Sequence, residues 1–188
     1  MKKLLITLST IGILQGCAAA AVVTVVGGAT MANDNRTLGK QIDDHGIEFT
    51  AHARLSEHKG ISENTNLQVV SVNGKVLVVG QAPNAYLRDE AIKILNKVEG
   101  IEHIFDQIRI SNKTSFTTRS NDVWLTSKVK TALFGSDKID ATNIKVVTEN
   151  GEVFLMGLIT APEGNEAVNI ARHVGGVNRV FKMFEFVN

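Results

Sequence analysis

The order of apolar and polar positions along this chain is written twice. "NLQVVSVNGKVLVVG" (Asn66 to Gly80) returns as "NIKVVTENGEVFLMG" (Asn143 to Gly157), 77 residues further on, and "EAIKILNKVEGIEHIF" (Glu90 to Phe105) returns as "EAVNIARHVGGVNRVF" (Glu166 to Phe181), 76 further on. A constant offset with one deletion marks two consecutive copies of one module. Ahead of each hairpin, Ile47, Ala51 and Leu55 in one copy and Leu125, Val129 and Leu133 in the other stand four apart, which predicts an amphipathic helix. Asn73-Gly74 and Asn150-Gly151 separate apolar, β-branched runs, and that dipeptide favours the positive φ angles of a two-residue type I′ hairpin turn. A second helix carries Leu87, Ala91, Ile94, Leu95 and Val98, matched by Ala167, Ile170, Ala171 and Val174, and ends near Gly100 or Gly176. A last strand holds Ile104-Phe105 or Val180-Phe181; a helix separates it from the strand before, so the two run parallel through a right-handed crossover.

The predicted fold class is α+β: two tandem αββαβ modules, each a three-stranded mixed sheet with two helices on one face. The first spans 45–110 and the second 120–188, joined by a polar linker at 111–119. At about 65 residues each copy buries only a modest core, so packing between the copies is expected.

The chain's start changes the picture. Lys2 and Lys3 precede the apolar run "LLITLSTIGIL", and "LQGC" ends at Cys17, the order of a secretory signal over residues 1–16 with a lipobox at its end. Cys17 is the only cysteine, so no internal disulfide forms, and its place after the apolar run assigns it to lipidation. The rival is a membrane-spanning anchor, since no charge occurs between Lys3 and Asp34; Gly12, Gln15, Gly16, Gly27 and Gly28 interrupt that stretch. Residues 17–44 then form the lipidated N-terminus and a flexible linker. About 26 residues of such a coil span about 28 Å, so the modules reach the membrane surface.

Composition mainly excludes. The whole chain has 20 basic and 19 acidic side chains; removing residues 1–16 takes two lysines and leaves a net charge near −1. A nucleic-acid binder needs a basic excess, so no nucleic-acid partner is expected. Polar residues shared by the copies are Asn66/Asn143, Asn73/Asn150, Glu90/Glu166 and Asp44/Asp122, all at turns, strand ends or first helical turns. None of the five histidines (His45, His52, His58, His103, His173) has a histidine at the matching position of the other copy. No nucleophile motif, phosphate loop or metal-ligand spacing appears, so no catalytic residue, metal site or cofactor is expected.

The one tryptophan lies in "SNDVWLTSKVKTALF" (Ser120 to Phe134). On a helical wheel Leu125, Val129, Ala132 and Leu133 gather on the face that covers the sheet, while Trp124 points away with Lys128, Thr131, Ser127 and Phe134. An indole beside a lysine on an outward face is the pattern of a helix lying in the lipid headgroup boundary. The competing assignment packs Trp124 against the other module or the linker. At the corresponding outer positions the first copy has Gly46, Phe49, Thr50, Ala53 and Ser56, with neither tryptophan nor cation. Trp124, Leu125, Lys128, Lys130, Thr131 and Phe134 are therefore the expected phospholipid-binding residues, with Lys128 and Lys130 each contributing about 1 kcal/mol near an anionic surface.

A lipobox followed by two αββαβ units, each with a "V..NG.V.L.G" hairpin and a "GV..V" close, resembles the BON-domain family, in particular its dual-BON outer-membrane lipoproteins. The segments "NDVWLTSKV" and "TENGEVFLMGL" carry the nearest part of the likeness. The resemblance implies phospholipid binding, support of outer-membrane integrity, gathering at division sites, and modules facing the periplasm. Ala18 is not the aspartate that resembles an inner-membrane retention signal, which points to the outer membrane. The alternative is an adaptor for outer-membrane assembly, cell-wall remodelling or division-site proteins, using sheet faces or strand edges.

Overall fold

The computed structural model describes residues 36–187; the signal, Cys17 and most of the N-terminal linker lie outside them. In chain order the elements are α1 (Leu38–Glu57), α2 (Lys59–Asn64), β1 (Asn66–Val72), β2 (Lys75–Ala82), α3 (Ala85–Leu95), β3 (His103–Ile110), α4 (Phe116–Phe134), a 3₁₀ turn (Ala141–Asn143), β4 (Ile144–Glu149), β5 (Glu152–Ile159), α5 (Ala161–Arg172) and β6 (Arg179–Phe186). Each module is the predicted mixed sheet: β1 antiparallel to β2 and β2 parallel to β3, then β4 antiparallel to β5 and β5 parallel to β6. Asn73 and Gly74 have φ of 53° and 76°, and Asn150 and Gly151 φ of 51° and 74°, as type I′ turns require.

The leading helices start earlier than apolar periodicity indicates. Thr37 accepts the Lys40 N–H and Ser115 accepts the Thr118 N–H through their side chains, and these caps open α1 and α4 at Leu38 and Phe116. α4 therefore begins inside the segment read as linker. Its first turn has no buried apolar residue to announce it, because buried residues begin only at Asp122.

Alternate strand residues serve two different cores. Val69, Val76, Val78 and Ile108 join Ile47, Ala51, Leu55, Ala91 and Leu95 of the helices in the first module, and the second repeats this with Val146, Val153 and Leu155 under Val129, Leu133, Ala167 and Ala171. The other faces meet each other. Val70, Val72, Leu77 and Val79 of the first sheet pack with Val147, Phe154, Met156 and Met183 of the second, giving four layers ordered helix, sheet, sheet, helix. Sheet-on-sheet contact buries both faces of the strands, which is why "VLVV" and "VFLM" read as continuous apolar runs instead of alternating.

Polar contacts frame that shared core. Glu185 pairs with Lys75 and accepts from the Asn73 amide, both at 2.9 Å, while Arg109 meets Glu152 at 2.8 Å and the Gln81 amide donates to Glu149. The backbone also closes tightly at each hairpin base. Gly80 has φ of 126°, and a Cβ there would lie 1.8 Å from the Asn66 carbonyl oxygen.

Candidate functional site: the outward face of α4

One face of α4 is fixed by burial. Leu125, Val129 and Leu133 sit on the second sheet, and Asp122 beside them accepts the Asn150 and Gly151 N–H groups at 2.8 Å each. The carboxylate thus pins the helix to the hairpin turn, and the opposite pole must face outward. There Phe116 is 78% exposed, Val123 69%, Trp124 58% and Phe134 62%. Large apolar side chains left in water along one side of a helix mark a surface for contact.

The polar groups between them are already satisfied within the helix. Ser127 donates its hydroxyl to the Val123 carbonyl at 3.1 Å, and Thr131 donates to the Ser127 carbonyl at 2.9 Å. Their outward atoms are then chiefly apolar. Lys128 places its ammonium 4.3 Å from the centre of the Trp124 ring and donates to the Gly175 carbonyl oxygen beyond α5. A cation held over the indole face fixes the ring's orientation and leaves its outer surface free. Trp124, Lys128, Ala132, Val174 and Gly175 together shape a shallow depression.

The sequence-predicted residues divide accordingly. Trp124, Thr131 and Phe134 are exposed on this face, Lys128 is half-buried between the ring and Gly175, and Lys130 is exposed on the flank that faces β1. Leu125 is corrected: it is fully buried in the module's core, because the same turn that sends Trp124 outward sends its neighbour onto the sheet, and it offers no surface to a ligand. Phe116 and Val123 join this face without a signal in the apolar periodicity, the first because it lies in the helix's opening turn, ahead of the buried positions. The cap "S-F-T-T" at Ser115 was the available signal.

The first module keeps the buried face and changes the outer one. Asp44 repeats the turn contact, accepting from Asn73 N–H at 2.7 Å, Gly74 N–H at 3.0 Å and the Ser71 hydroxyl at 2.7 Å, with Arg36 at 2.9 Å. Burial works against its charge, but the hydrogen bonds from Gly74, Ser71, Asn73 and Arg36 outweigh it and hold the carboxyl below the usual aspartate range. The outer pole carries Leu38, Ile42 and Phe49, all exposed, with Gly46 where α4 has Trp124. Elsewhere, burial pushes the Glu149 carboxyl upward against the stabilising Gln81 hydrogen bond. Among the described residues no group of three or more metal-binding side chains occurs, and no helix is long and apolar enough to cross a membrane.

Two αββαβ units joined sheet to sheet, with an exposed aromatic helix on one of them, define a duplicated-module protein that offers surfaces and shallow grooves for binding. The BON domain profile matches residues 43–112 and 121–188, and the chain belongs to the BON domain family. It is 39% identical over 188 residues to the outer membrane lipoprotein DolP of Haemophilus influenzae, covering 100% of this chain and 97% of that one. It is 37% identical over 161 residues to a 21 kDa hemolysin of Actinobacillus pleuropneumoniae, covering 86% and 83%. It is also 28% identical over 151 residues to osmotically-inducible protein Y of Escherichia coli, covering 76% and 72%. The likeness over the full length supports an envelope lipoprotein associated with the outer membrane, and none of these relatives is named as an enzyme.

Proposed function

We propose that this protein is anchored in the outer membrane by acyl chains on Cys17, faces the periplasm, and lays the outer face of α4 on anionic phospholipid, supporting envelope integrity, with division sites as its place of action. The observation that carries this reading is the 58% exposure of Trp124 on a face shared with Val123 and Phe134. Insertion of an indole and two or three apolar neighbours into the headgroup boundary contributes a few kcal/mol, at about 25 cal/mol per Å² of apolar surface removed from water. Alone that is weak binding. The anchor makes the contact intramolecular, so a weak surface is occupied much of the time.

Lys128 acts through Trp124 as well as through charge, because its ammonium already holds the ring. The test is co-sedimentation of the delipidated protein with phosphatidylglycerol vesicles, read also by tryptophan fluorescence. Trp124→Ala is expected to weaken binding by about tenfold or more. Lys128→Ala is expected to weaken it less, with a red-shifted emission in the unbound protein as the ring loosens. Circular dichroism should stay unchanged in both, since neither side chain enters a core. Vesicle binding equal to wild type in folded Trp124→Ala would remove the proposal.

A further inference from the structure

We propose that the groove along the free edge of β4 receives an extended acidic peptide, which adds to the second sheet as a fourth strand. In a two-residue hairpin the residues flanking the turn bond to each other, so the next pair turns its N–H and C=O groups away from the partner strand. In the first module that pair is Ser71 and Val76, and the Ser71 N–H at the open edge of β1 is taken by Glu48 at 2.9 Å. The first module thus fills the turn end of its own edge with a carboxylate.

The second module has lost that carboxylate. The internal repeat puts Thr148 where Ser71 stands and Thr126 where Glu48 stands. Thr126 donates its hydroxyl to the Thr148 hydroxyl oxygen at 2.8 Å, and among the described residues nothing accepts the Thr148 N–H. Val146 and Thr148, two residues apart, turn their backbone N–H and C=O groups outward into the groove, while the Ile144 N–H is taken by the Ala141 carbonyl of the 3₁₀ turn. That repeat is the period of a strand, and a small anion cannot match it.

The surroundings specify the guest's charge. A groove of about 470 Å³ runs between β4, the Asn66–Gln68 part of β1, and α4, and it is lined by Arg119, Lys130 and Lys145. Its own acids are engaged: Asp122 holds the turn amides and Glu149 accepts from Gln81. Lys145 approaches Glu48 at 3.8 Å, while Lys130 has no ion pair among the described residues. A strand with acidic side chains at alternate positions satisfies the edge through its backbone and the cations through its side chains.

The probe is a blocked hexapeptide alternating valine and glutamate, titrated into the full chain in phosphatidylcholine nanodiscs and read by amide shifts of Val146 and Thr148; the same peptide with lysine for glutamate is the control. Saturable binding of the acidic peptide alone is expected, weakened by about tenfold in Lys130→Glu and in Thr126→Glu, which transplants the first module's carboxylate. No saturable binding, equal binding of the lysine peptide, or full binding by both folded variants would overturn the proposal. So would an inert peptide combined with loss of phosphatidylglycerol binding in Thr126→Glu, which would make the groove a headgroup site. Trp124→Ala is expected to bind the peptide as wild type does, so this test and the membrane test fail separately.

Discussion

Replacing Phe154 with alanine is expected to lower the unfolding free energy by about 3–5 kcal/mol, the range for emptying a buried aromatic site. Phe154 is 1% exposed, and its ring stacks on Phe181 with centroids 4.8 Å apart and planes 8° from parallel. It lies in the cluster that joins the two sheets, among Leu77, Val79 and Met156, so the cavity would open between the modules. The expected consequence is a change of mechanism as well as of stability. Each module has only a small core of its own, and the shared one couples them into one cooperative unit. In urea, wild type should unfold in a single transition by both circular dichroism and Trp124 fluorescence. Phe154→Ala should separate the two signals, since Trp124 reports the second module alone. A loss under about 1 kcal/mol with coincident curves would show that the modules stay coupled without the Phe154 ring.

The modules themselves were legible because their signals are local. The Asn-Gly turns, the four-residue spacing of Leu125, Val129 and Leu133, and the internal repeat specify the strands, the helix faces and their order. The way the modules join was only half legible. "VLVV" and "VFLM" are apolar at every position, and a strand needs that only when both faces are covered, yet no spacing in the sequence names the covering partner as the other sheet. At the site, the outward direction of Trp124 followed from the wheel, but Lys128's attachment to Gly175 joins residues 47 apart and had no sequence signal. The roles of Asp44 and Asp122 were hidden differently. Both were visible as shared residues, but an acidic residue early in a helix has an ordinary explanation in capping, and only the packed helix shows the carboxylate reaching the hairpin turn.

That turn contact carries the second large effect. Asp122→Ala leaves the Asn150 and Gly151 N–H groups without their acceptor, in a turn whose positive φ angles the carboxylate helps to hold. A buried donor stripped of a charged acceptor costs more than the bond was worth, and losing the acceptor of the buried Gly151 N–H together with that of the part-buried Asn150 N–H is expected to cost about 2–4 kcal/mol in chemical denaturation. Asp122→Asn, which keeps one oxygen acceptor, should cost clearly less; equal losses would show that packing, not hydrogen bonding, sets the effect. Asp44→Ala should be at least as damaging, since Ser71, Asn73, Gly74 and Arg36 all lose a partner. Asp44 also has a signature in pH. Its carboxyl is held below the ordinary aspartate range, so the folded state releases this proton more readily than the unfolded chain does. The stabilisation is therefore complete above the unfolded aspartate value, about pH 3.9, and declines as pH falls from there through the lower folded value. Between pH 5 and pH 7 the difference in stability between wild type and Asp44→Ala should be constant, and below about pH 4 it should shrink. A difference that stays constant to pH 2 would mean that the folded carboxylate gains nothing from the turn, and that the first module is held by its apolar core alone.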